Sequence, residues 1–511
     1  MATSRTKRVA LNAVVSLLTQ IFMILLNFVS RTVFIKTLDI DYLGVNGLFT
    51  NVLSILSFAE LGIGHAIVFN LYKPLADGDK ERLCSLMHLY KKVYRAIFFT
   101  VMILGLAMIP FLDVLIKGTT NIKENLIIIY LFFLIDTAIS YLYIYKQSII
   151  TADQKQYVVT TILTAASCLR VFGQIIILYL THNFILVLVV NIIFRFAGNV
   201  YCSNVANKLY PYILDEPIPL SKTDTKKIFK DVVSMAAYKF GSVILNSTSN
   251  IIISTMVSIT TVGLVSNYTM LCVACRSLLN GITNSFTASL GNLNATATKE
   301  QKYNVFNKVL LITAWIYGMT SIGLIVLSKY FVALWIGENF VLPIFVVIAI
   351  VSEFYISGIH TLESHYRFTM GYFVKGKVAP ILAALLNIGL AIPFCHLWGV
   401  AGVFIATSVA RIVTLGIIDS YIIFKDGFQR NPIIYFTKNA VFIFLFIVIG
   451  TGCYWLISFS KGHTWISLIS QILIVLFVYN IIMLIIYGHT QEFKEIIFAF
   501  KGLKKTTEVL D

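Results

Sequence analysis

The most regular feature of the sequence is a series of long apolar stretches separated by short polar segments. Each stretch approaches the twenty or so residues that a helix needs to cross a bilayer. We predict fourteen spanning helices, over approximately 11–34, 43–70, 96–116, 126–147, 158–180, 184–204, 235–257, 263–290, 307–328, 341–362, 378–396, 400–424, 439–458 and 465–487. The stretches lack the alternation of barrel strands, so only helices would satisfy the backbone within lipid. The expected fold class is therefore all-α and polytopic.

Polar residues recur at helical spacing on three of these helices, so each of the three has one polar face. The residues are Asn12, Ser16, Gln20, Asn27, Ser30 and Arg31 on the first helix, Lys239, Ser242, Asn246, Ser249 and Asn250 on the seventh, and Thr269, Arg276, Asn280, Thr283 and Thr287 on the eighth. Arg276 lies near the middle of its helix, where a charge costs roughly 2.5–3.5 kcal/mol on insertion scales. We expect Arg276 to face a hydrated cavity, an acidic partner or an anionic ligand. Hydrogen bonds between helices would equally explain the Ser, Thr and Asn residues.

The first predicted hairpin recurs later in the chain at a spacing of 219 residues, and a second match has a spacing of 216. The spacing of 219 pairs Asn27 with Asn246, Ser30 with Ser249, Ile40 with Ile259, Gly44 with Gly263, Thr50 with Thr269 and Gly62 with Gly281; the spacing of 216 pairs Arg195 with Arg411. Both copies of the hairpin have the same orientation, which predicts two parallel halves around an axis along the membrane normal. We predict an N-lobe over 1–208, a linker over 209–234, a C-lobe over 235–424, two added helices within 425–490 and a basic tail over 491–511.

Composition and charge agree with a membrane protein. The chain is 58% hydrophobic and 13% charged, which excludes an ordinary soluble protein of 511 residues. Of its 40 lysine and arginine residues, 29 fall in segments on the side of the N-terminus and 5 on the opposite side. By the positive-inside rule both termini are expected to be cytoplasmic. Topology thus accounts for most of the net charge of +16, and no nucleic-acid partner is needed to explain it.

Two stretches resemble a known family. They are YLGVNGLFTNVLSILSFAELGIGHAI, from Tyr42 to Ile67, and LWGVAGVFIATSVAR, from Leu397 to Arg411. Both resemble the polysaccharide transporter family of the MOP (multidrug/oligosaccharidyl-lipid/polysaccharide) exporter superfamily, the Wzx-like flippases of capsule, exopolysaccharide and O-antigen repeat units. The resemblance implies a V-shaped fold of two six-helix lobes plus two C-terminal helices. Where the related lipid II flippase has an arginine on its second helix, this chain has Glu60, which weakens the case for a lipid II substrate.

The same resemblance implies a function and partners. The substrate would be an undecaprenyl-pyrophosphate-linked oligosaccharide, moved from the inner to the outer leaflet of the bacterial cytoplasmic membrane by alternating access. Membrane lipids, a polysaccharide polymerase and glycosyltransferases would be its neighbours. In the related lipid II flippase, cavity arginines hold the pyrophosphate and the last two helices form a groove for the lipid tail. Arg31 and Arg276 lie on helices comparable to the arginine-bearing helices of that relative.

Candidate substrate-binding residues follow from the chemistry of such a headgroup. Arginine binds phosphate oxygens through a planar fork and does not lose its proton, while amides suit sugar hydroxyls. The candidates are Arg31, Arg276, Lys239, Arg411, Arg195, Arg170, Asn27, Asn246, Asn250 and Asn280. Two alternatives stay open, because Arg170 and Arg195 could form structural ion pairs, and Arg31 and Lys239 could extend to the membrane interface.

Carboxylates within the predicted helices suggest a second kind of site. Glu60 and Asp136 are candidates for coupling to Na⁺ or H⁺, a role that intramembrane carboxylates often serve. His360, Glu363 and His365 imitate a metal site, but one helix face holds only the first two, and a position at the inner interface would explain all three. We identify no catalytic arrangement, no cofactor motif and no metal site.

Three other functions were weighed against this sequence. A teichoic-acid or lipid II flippase would need the same chemistry and is barely separated from a capsule flippase. A MATE-type multidrug exporter would favour cationic drugs and an acid-lined cavity, whereas the charges within the helices here are mainly positive. A membrane-bound glycosyltransferase or polymerase would need catalytic carboxylates or a large outer loop, and the sequence offers neither. A transporter is therefore expected, and not an enzyme.

Overall fold

A computed structural model describes residues 2–57, 63–117, 120–372, 375–459 and 464–498. Its α-helices are α1 Ala2–Thr37, α2 Ile40–Leu56, α3 Ile63–Asp77, α4 Lys80–Ala107, α5 Leu112–Leu115, α6 Leu126–Ile144, α7 Gln147–Ala152, α8 Gln156–Thr181, α9 Phe184–Leu209, α10 Lys222–Met256, α11 Ile259–Thr296, α12 Lys299–Ile336, α13 Ile344–Thr369, α14 Ala379–Ala410, α15 Ile417–Ile422, α16 Ile433–Ser458 and α17 Trp465–Tyr487. No strand occurs in these residues.

The chain is a multi-pass membrane protein, which confirms the predicted fold class. Among the described residues, 12 helices are long and apolar enough to span a bilayer, close to the predicted fourteen. The predicted second span corresponds to α2, which ends at Leu56, and α3, which begins at Ile63, with residues 58–62 outside the described part. The predicted seventh span is α10, which begins at Lys222, inside the stretch predicted as a linker.

The chain forms two compact units, Met1–Ser266 and Asn267–Asp511. In the first unit, α10 packs against α2, α3 and α5, and α8 lies between α1 and α9. In the second unit, α12 packs against α13, α16 and α17, and α13 packs against α14. The division lies within α11, so α10 and the first two turns of α11 belong to the first unit.

The predicted repeat is visible as a reciprocal contact within the first unit. A β-carbon on Gly44 would lie 2.1 Å from the carbonyl oxygen of Ile259, and one on Gly263 would lie 2.5 Å from the carbonyl oxygen of Ile40. These are the residue pairs that the spacing of 219 relates, so α2 and α11 meet around a local pseudo-twofold axis. The backbones approach so closely that only glycine fits at either position.

Contacts between turns agree with the predicted sidedness of the membrane spans. In the first unit, three turns predicted on the outer side meet, because Asn121 donates its backbone N–H to Asp41 and Thr260 donates its hydroxyl to the same carboxylate. Segments predicted on the inner side also meet, through a 2.7 Å bond from Tyr210 to Asp153. In the second unit, the inner segments meet through Arg430 and Glu300. Within each unit, these turns therefore lie beside others that are predicted on the same side.

The predicted eleventh and twelfth spans join without a loop. At Gly399 the backbone adopts φ +57° and ψ −138°, a conformation that L side chains rarely adopt, and the chain turns sharply there within α14. Beyond the turn, the twelfth span contains two π-helical segments, Arg411–Gly416 and Ile423–Phe428, on either side of α15. Such segments are frequent at functional sites; the first begins with Arg411, and Asp419 lies between the two.

Candidate functional site

Two arginines share one glutamate inside the second unit. Glu353 lies on α13, Arg276 on α11, and Arg411 begins the first π-helical segment. Nη2 of Arg411 lies 3.1 Å from Oε1 of Glu353, and Nη2 of Arg276 lies 3.5 Å from Oε2. The guanidinium of Arg276 also lies 5.5 Å from the centre of the Phe354 ring, within the range of a cation–π contact. We call these three charged residues the Glu353 cluster.

The Glu353 cluster has a permanent surplus of positive charge, because arginine keeps its proton in proteins. Its members differ in exposure: the side chain of Arg411 is 7% exposed, that of Glu353 16% and that of Arg276 32%. Nε of Arg276 is buried and has no hydrogen-bond partner among the described residues. Arg276 therefore combines a weak tie to Glu353 with unused donor capacity, as an anion-binding group would.

A second cluster of the same composition lies in the first unit. Nε of Arg195 on α9 is 2.9 Å from Oδ1 of Asp136 on α6. Arg170 on α8 lines a cavity of about 300 Å³ together with Arg195. We call Asp136, Arg170 and Arg195 the Asp136 cluster. Its ion pair corresponds to the structural pairing that the sequence left open for Arg195, and it makes Asp136 the counter-ion of Arg195.

The two ion pairs occupy related positions in the repeat. Asp136 and Glu353 are 217 residues apart, and Arg195 and Arg411 are 216 apart. In each half, the carboxylate lies on the fourth predicted span and its arginine on the sixth. An ion pair inside a span requires both partners, since one charge left alone in the interior is strongly unfavourable. The pairing thus supports the parallel repeat that Arg195 and Arg411 suggested.

A third group of charged residues was missed by sequence reasoning. Nε of Arg367 lies 3.0 Å from Oδ1 of Asp419, and both side chains are fully buried. Nε2 of His360 lies 3.1 Å from the other carboxylate oxygen of Asp419, and Glu363 accepts a hydrogen bond from Tyr435. His360 and Glu363 are both buried in this polar network, so contacts inside the protein hold them as well as any position at the inner interface. His360, Glu363 and Arg367 recur at helical spacing on one face of α13, and this pattern could have indicated the network from the sequence.

The other predicted residues that the structure describes lie elsewhere along their helices. In the first unit, Arg31 donates a hydrogen bond to Ser266, and Lys239 lies on α10. The Asn246 amide donates to the backbone of its own helix. Of the other residues, Asn250 packs beside Gly47, Asn27 is exposed on α1, Asn280 lies on α11, and Glu60 lies outside the described residues.

Comparison with known proteins identifies the fold. No family model matches the sequence, and no curated protein matches it. Solved structures do match. An inward-facing multidrug resistance MATE family transporter of the MOP superfamily is 15% identical, with a TM-score of 0.64 over 81% of this chain and 96% of the other.

Two further solved structures give the same answer. The lipid II flippase MurJ, in an inward closed conformation, is 19% identical, with a TM-score of 0.62 over 92% of this chain and 98% of the other. An outward-facing MATE family transporter of the MOP superfamily is 15% identical, with a TM-score of 0.53 over 82% of this chain and 93% of the other. The chain therefore has the fold of MOP superfamily transporters, as the resemblance implied.

Proposed function

We propose that this protein is a flippase that moves an undecaprenyl-pyrophosphate-linked oligosaccharide from the inner to the outer leaflet of the bacterial cytoplasmic membrane. The observation that carries the proposal is the Glu353 cluster, in which two arginines face one carboxylate. A surplus of fixed positive charge within a span favours a substrate with negative charge. A pyrophosphate linked to a sugar at one end and a prenyl chain at the other has that charge at its centre.

The geometry of the Glu353 cluster suits a transient anion site. Arg411 is nearly enclosed and keeps Glu353 in place at 3.1 Å. Arg276 is more exposed and lies farther from Glu353, at 3.5 Å. A pyrophosphate oxygen could replace Glu353 as the partner of Arg276 without leaving the glutamate unpaired, because Arg411 remains bound to it. Arg276 would thus bind the headgroup, while Glu353 competes for the same guanidinium and limits the affinity, so that the headgroup is also released.

The rest of the substrate has different requirements. The prenyl chain can stay in lipid while the headgroup crosses about 30 Å of hydrocarbon. Between Asn439 and Ser458 of α16, and over all of α17, the sequence contains no charged residue, and large apolar side chains such as Phe444 and Phe477 are exposed. Such surfaces suit a long isoprenoid. A MOP-superfamily fold supports movement by alternating access, since inward-facing and outward-facing members of that superfamily are known.

A MATE-type drug exporter is the second candidate, and the likeness to a multidrug resistance transporter of that family supports it. Cationic drugs would require an unpaired carboxylate at the binding position. In the Glu353 cluster and the Asp136 cluster the carboxylate is bound by arginine, which opposes a cationic ligand. The likeness to a lipid II flippase leaves lipid II and teichoic-acid precursors as alternative cargoes of the same chemistry.

Complementation tests the proposal. In a strain that lacks its capsule or O-antigen flippase, the gene should restore surface polysaccharide, and the Arg276→Gln variant should fail to do so at an equal protein level. Arg82→Gln, on α4 outside the clusters, is the matched control and should complement fully. Ethidium efflux is measured in parallel in the same strains. Export that survives Arg276→Gln, or efflux without export, would refute the assignment.

A further inference from the structure

The first unit contains a cavity of its own. Its volume is about 300 Å³, and residues of α6, α7, α8 and α9 line it. The polar residues of its wall are Arg170, Arg195, Gln147, Asn199, Ser140 and Ser167. The volume is at the lower end of the range for small-molecule sites. It would admit a single sugar ring but not an oligosaccharide.

The wall of this cavity carries two permanent positive charges, and one carboxylate lies behind it. Asp136 binds Arg195 at 2.9 Å and is largely buried, with 16% of its side chain exposed. Nε of Arg170 is buried and has no hydrogen-bond partner among the described residues. Arg170 is therefore a donor held inside a polar cavity with capacity left for an anion.

The related ion pair of the second unit serves as an internal comparison. There, Arg411 borders a cavity of about 200 Å³, and 7% of its side chain is exposed. In the first unit, 39% of the Arg195 side chain is exposed, and Arg195 lines the larger cavity. Arg195 is therefore the more accessible of the two related arginines, as a ligand-binding role requires.

The neutral groups of the wall match a ring that carries hydroxyls. Gln147 donates a hydrogen bond to the Asn199 side chain at 2.9 Å, and Asn199 is 7% exposed. This bond uses one donor of Gln147 and one acceptor of Asn199, so the Asn199 amide and the Gln147 carbonyl keep capacity for hydroxyls. Asn199 lies four residues beyond Arg195 on α9, which places it about 6 Å along the helix axis. That separation is comparable to the width of a sugar ring.

We propose that this cavity is a binding site for an acidic sugar unit, with the carboxylate at Arg170 and Arg195 and the hydroxyls at Ser167, Gln147 and Asn199. The proposal rests on the proposed function and adds to it a substrate class, namely a repeat unit that contains a carboxylate-bearing sugar. Asp136 is then a positioning residue, which holds Arg195 at the wall and lowers the net charge of the site. Loss of its charge alone, as in Asp136→Asn, keeps an oxygen that accepts a hydrogen bond from Arg195 and should tighten binding of the anion.

Binding of free sugars to the full-length protein in phosphatidylcholine nanodiscs tests this site. Glucuronate should bind in a saturation-transfer NMR titration, and glucose, which lacks the carboxylate, should bind at least about tenfold more weakly because it cannot form the charge-assisted bonds. Sodium chloride raised from 50 to 500 mM should weaken glucuronate binding and leave glucose unaffected. This salt measurement needs no variant.

Two variants should move the affinity in opposite directions. Arg170→Gln should weaken glucuronate binding at least about tenfold, and Asp136→Asn should strengthen it, while Arg82→Gln leaves it unchanged. A merely structural role would make both cluster variants lose affinity together. Equal binding of glucuronate and glucose, insensitivity to salt, or unchanged affinity in Arg170→Gln would overturn the proposal. If complementation by the wild-type gene succeeds despite such a result, the sugar site fails and the flippase assignment stands.

Discussion

Arg276 and Arg411 both contact Glu353 but differ in exposure. The loss of protein stability when each is replaced should therefore separate their roles. Arg411 is nearly enclosed, so Glu353→Gln would leave its charge without the glutamate and should cost about 3–5 kcal/mol, and Arg411→Gln, which leaves Glu353 only the longer contact with Arg276, should cost more than Arg276→Gln. Arg276→Gln should cost at most about 1 kcal/mol, because this arginine is one-third exposed and its pairing is partly screened. Thermal unfolding of the purified variants in detergent checks the order. Equal losses for Arg276→Gln and Arg411→Gln would mean that Arg276 is a structural residue.

The double variant Glu353→Gln/Arg411→Gln provides the control for that series. It removes both charges of the enclosed pair, so it should be more stable than Glu353→Gln, which leaves the enclosed Arg411 without the glutamate. Additive losses would show that the two residues do not interact, in contradiction to their 3.1 Å separation.

Helices α2 and α11 meet through two glycines, and their contact is open to test. A β-carbon on Gly44 or Gly263 would overlap a carbonyl oxygen of the other helix, so Gly44→Ala and Gly263→Ala should each destabilise the protein by about 1–3 kcal/mol. Gly452→Ala on α16 is the matched control, because nothing lies within 4 Å of its position and alanine favours a helix. The midpoint of thermal unfolding should fall for the first two and stay level or rise for the third. A similar midpoint in all three would contradict the close contact.

The sequence predicted the helices well and their partners poorly. Apolar runs and charge distribution fix where spans begin and end, and the spacing of 219 anticipated that Gly44 and Gly263 are equivalent. Ion pairs were not predictable in the same way. Asp136 and Arg195 are 59 residues apart, and periodicity gives the face of a helix but not the neighbour it meets. The sequence did not predict the buried pair of Arg367 and Asp419, because Arg367 falls between the predicted tenth and eleventh spans. In the structure, α13 extends to Thr369 and includes Arg367.

Across the whole molecule, the distribution of basic residues predicts which turns face the cytoplasm. Lys123 lies in a turn predicted outside, and Lys80 begins α4 in a segment predicted inside; both side chains are exposed. In intact cells, a membrane-impermeant maleimide should label Lys123→Cys but not Lys80→Cys, and permeabilised cells should show labelling of both. The unmodified chain, with its seven cysteines, gives the background. Labelling of Lys80→Cys alone in intact cells would invert the topology.

Lipid flipping by the purified protein tests the proposed flippase function most directly. The wild type, reconstituted in liposomes, should move a fluorescent undecaprenyl-pyrophosphate-linked oligosaccharide between leaflets, so that dithionite added outside quenches an increasing share of the label. Arg276→Gln should reduce the rate to that of protein-free liposomes, while Arg82→Gln keeps the wild-type rate. Flipping by Arg276→Gln at the wild-type rate would contradict the claim that a surplus arginine beside Glu353 binds the travelling pyrophosphate.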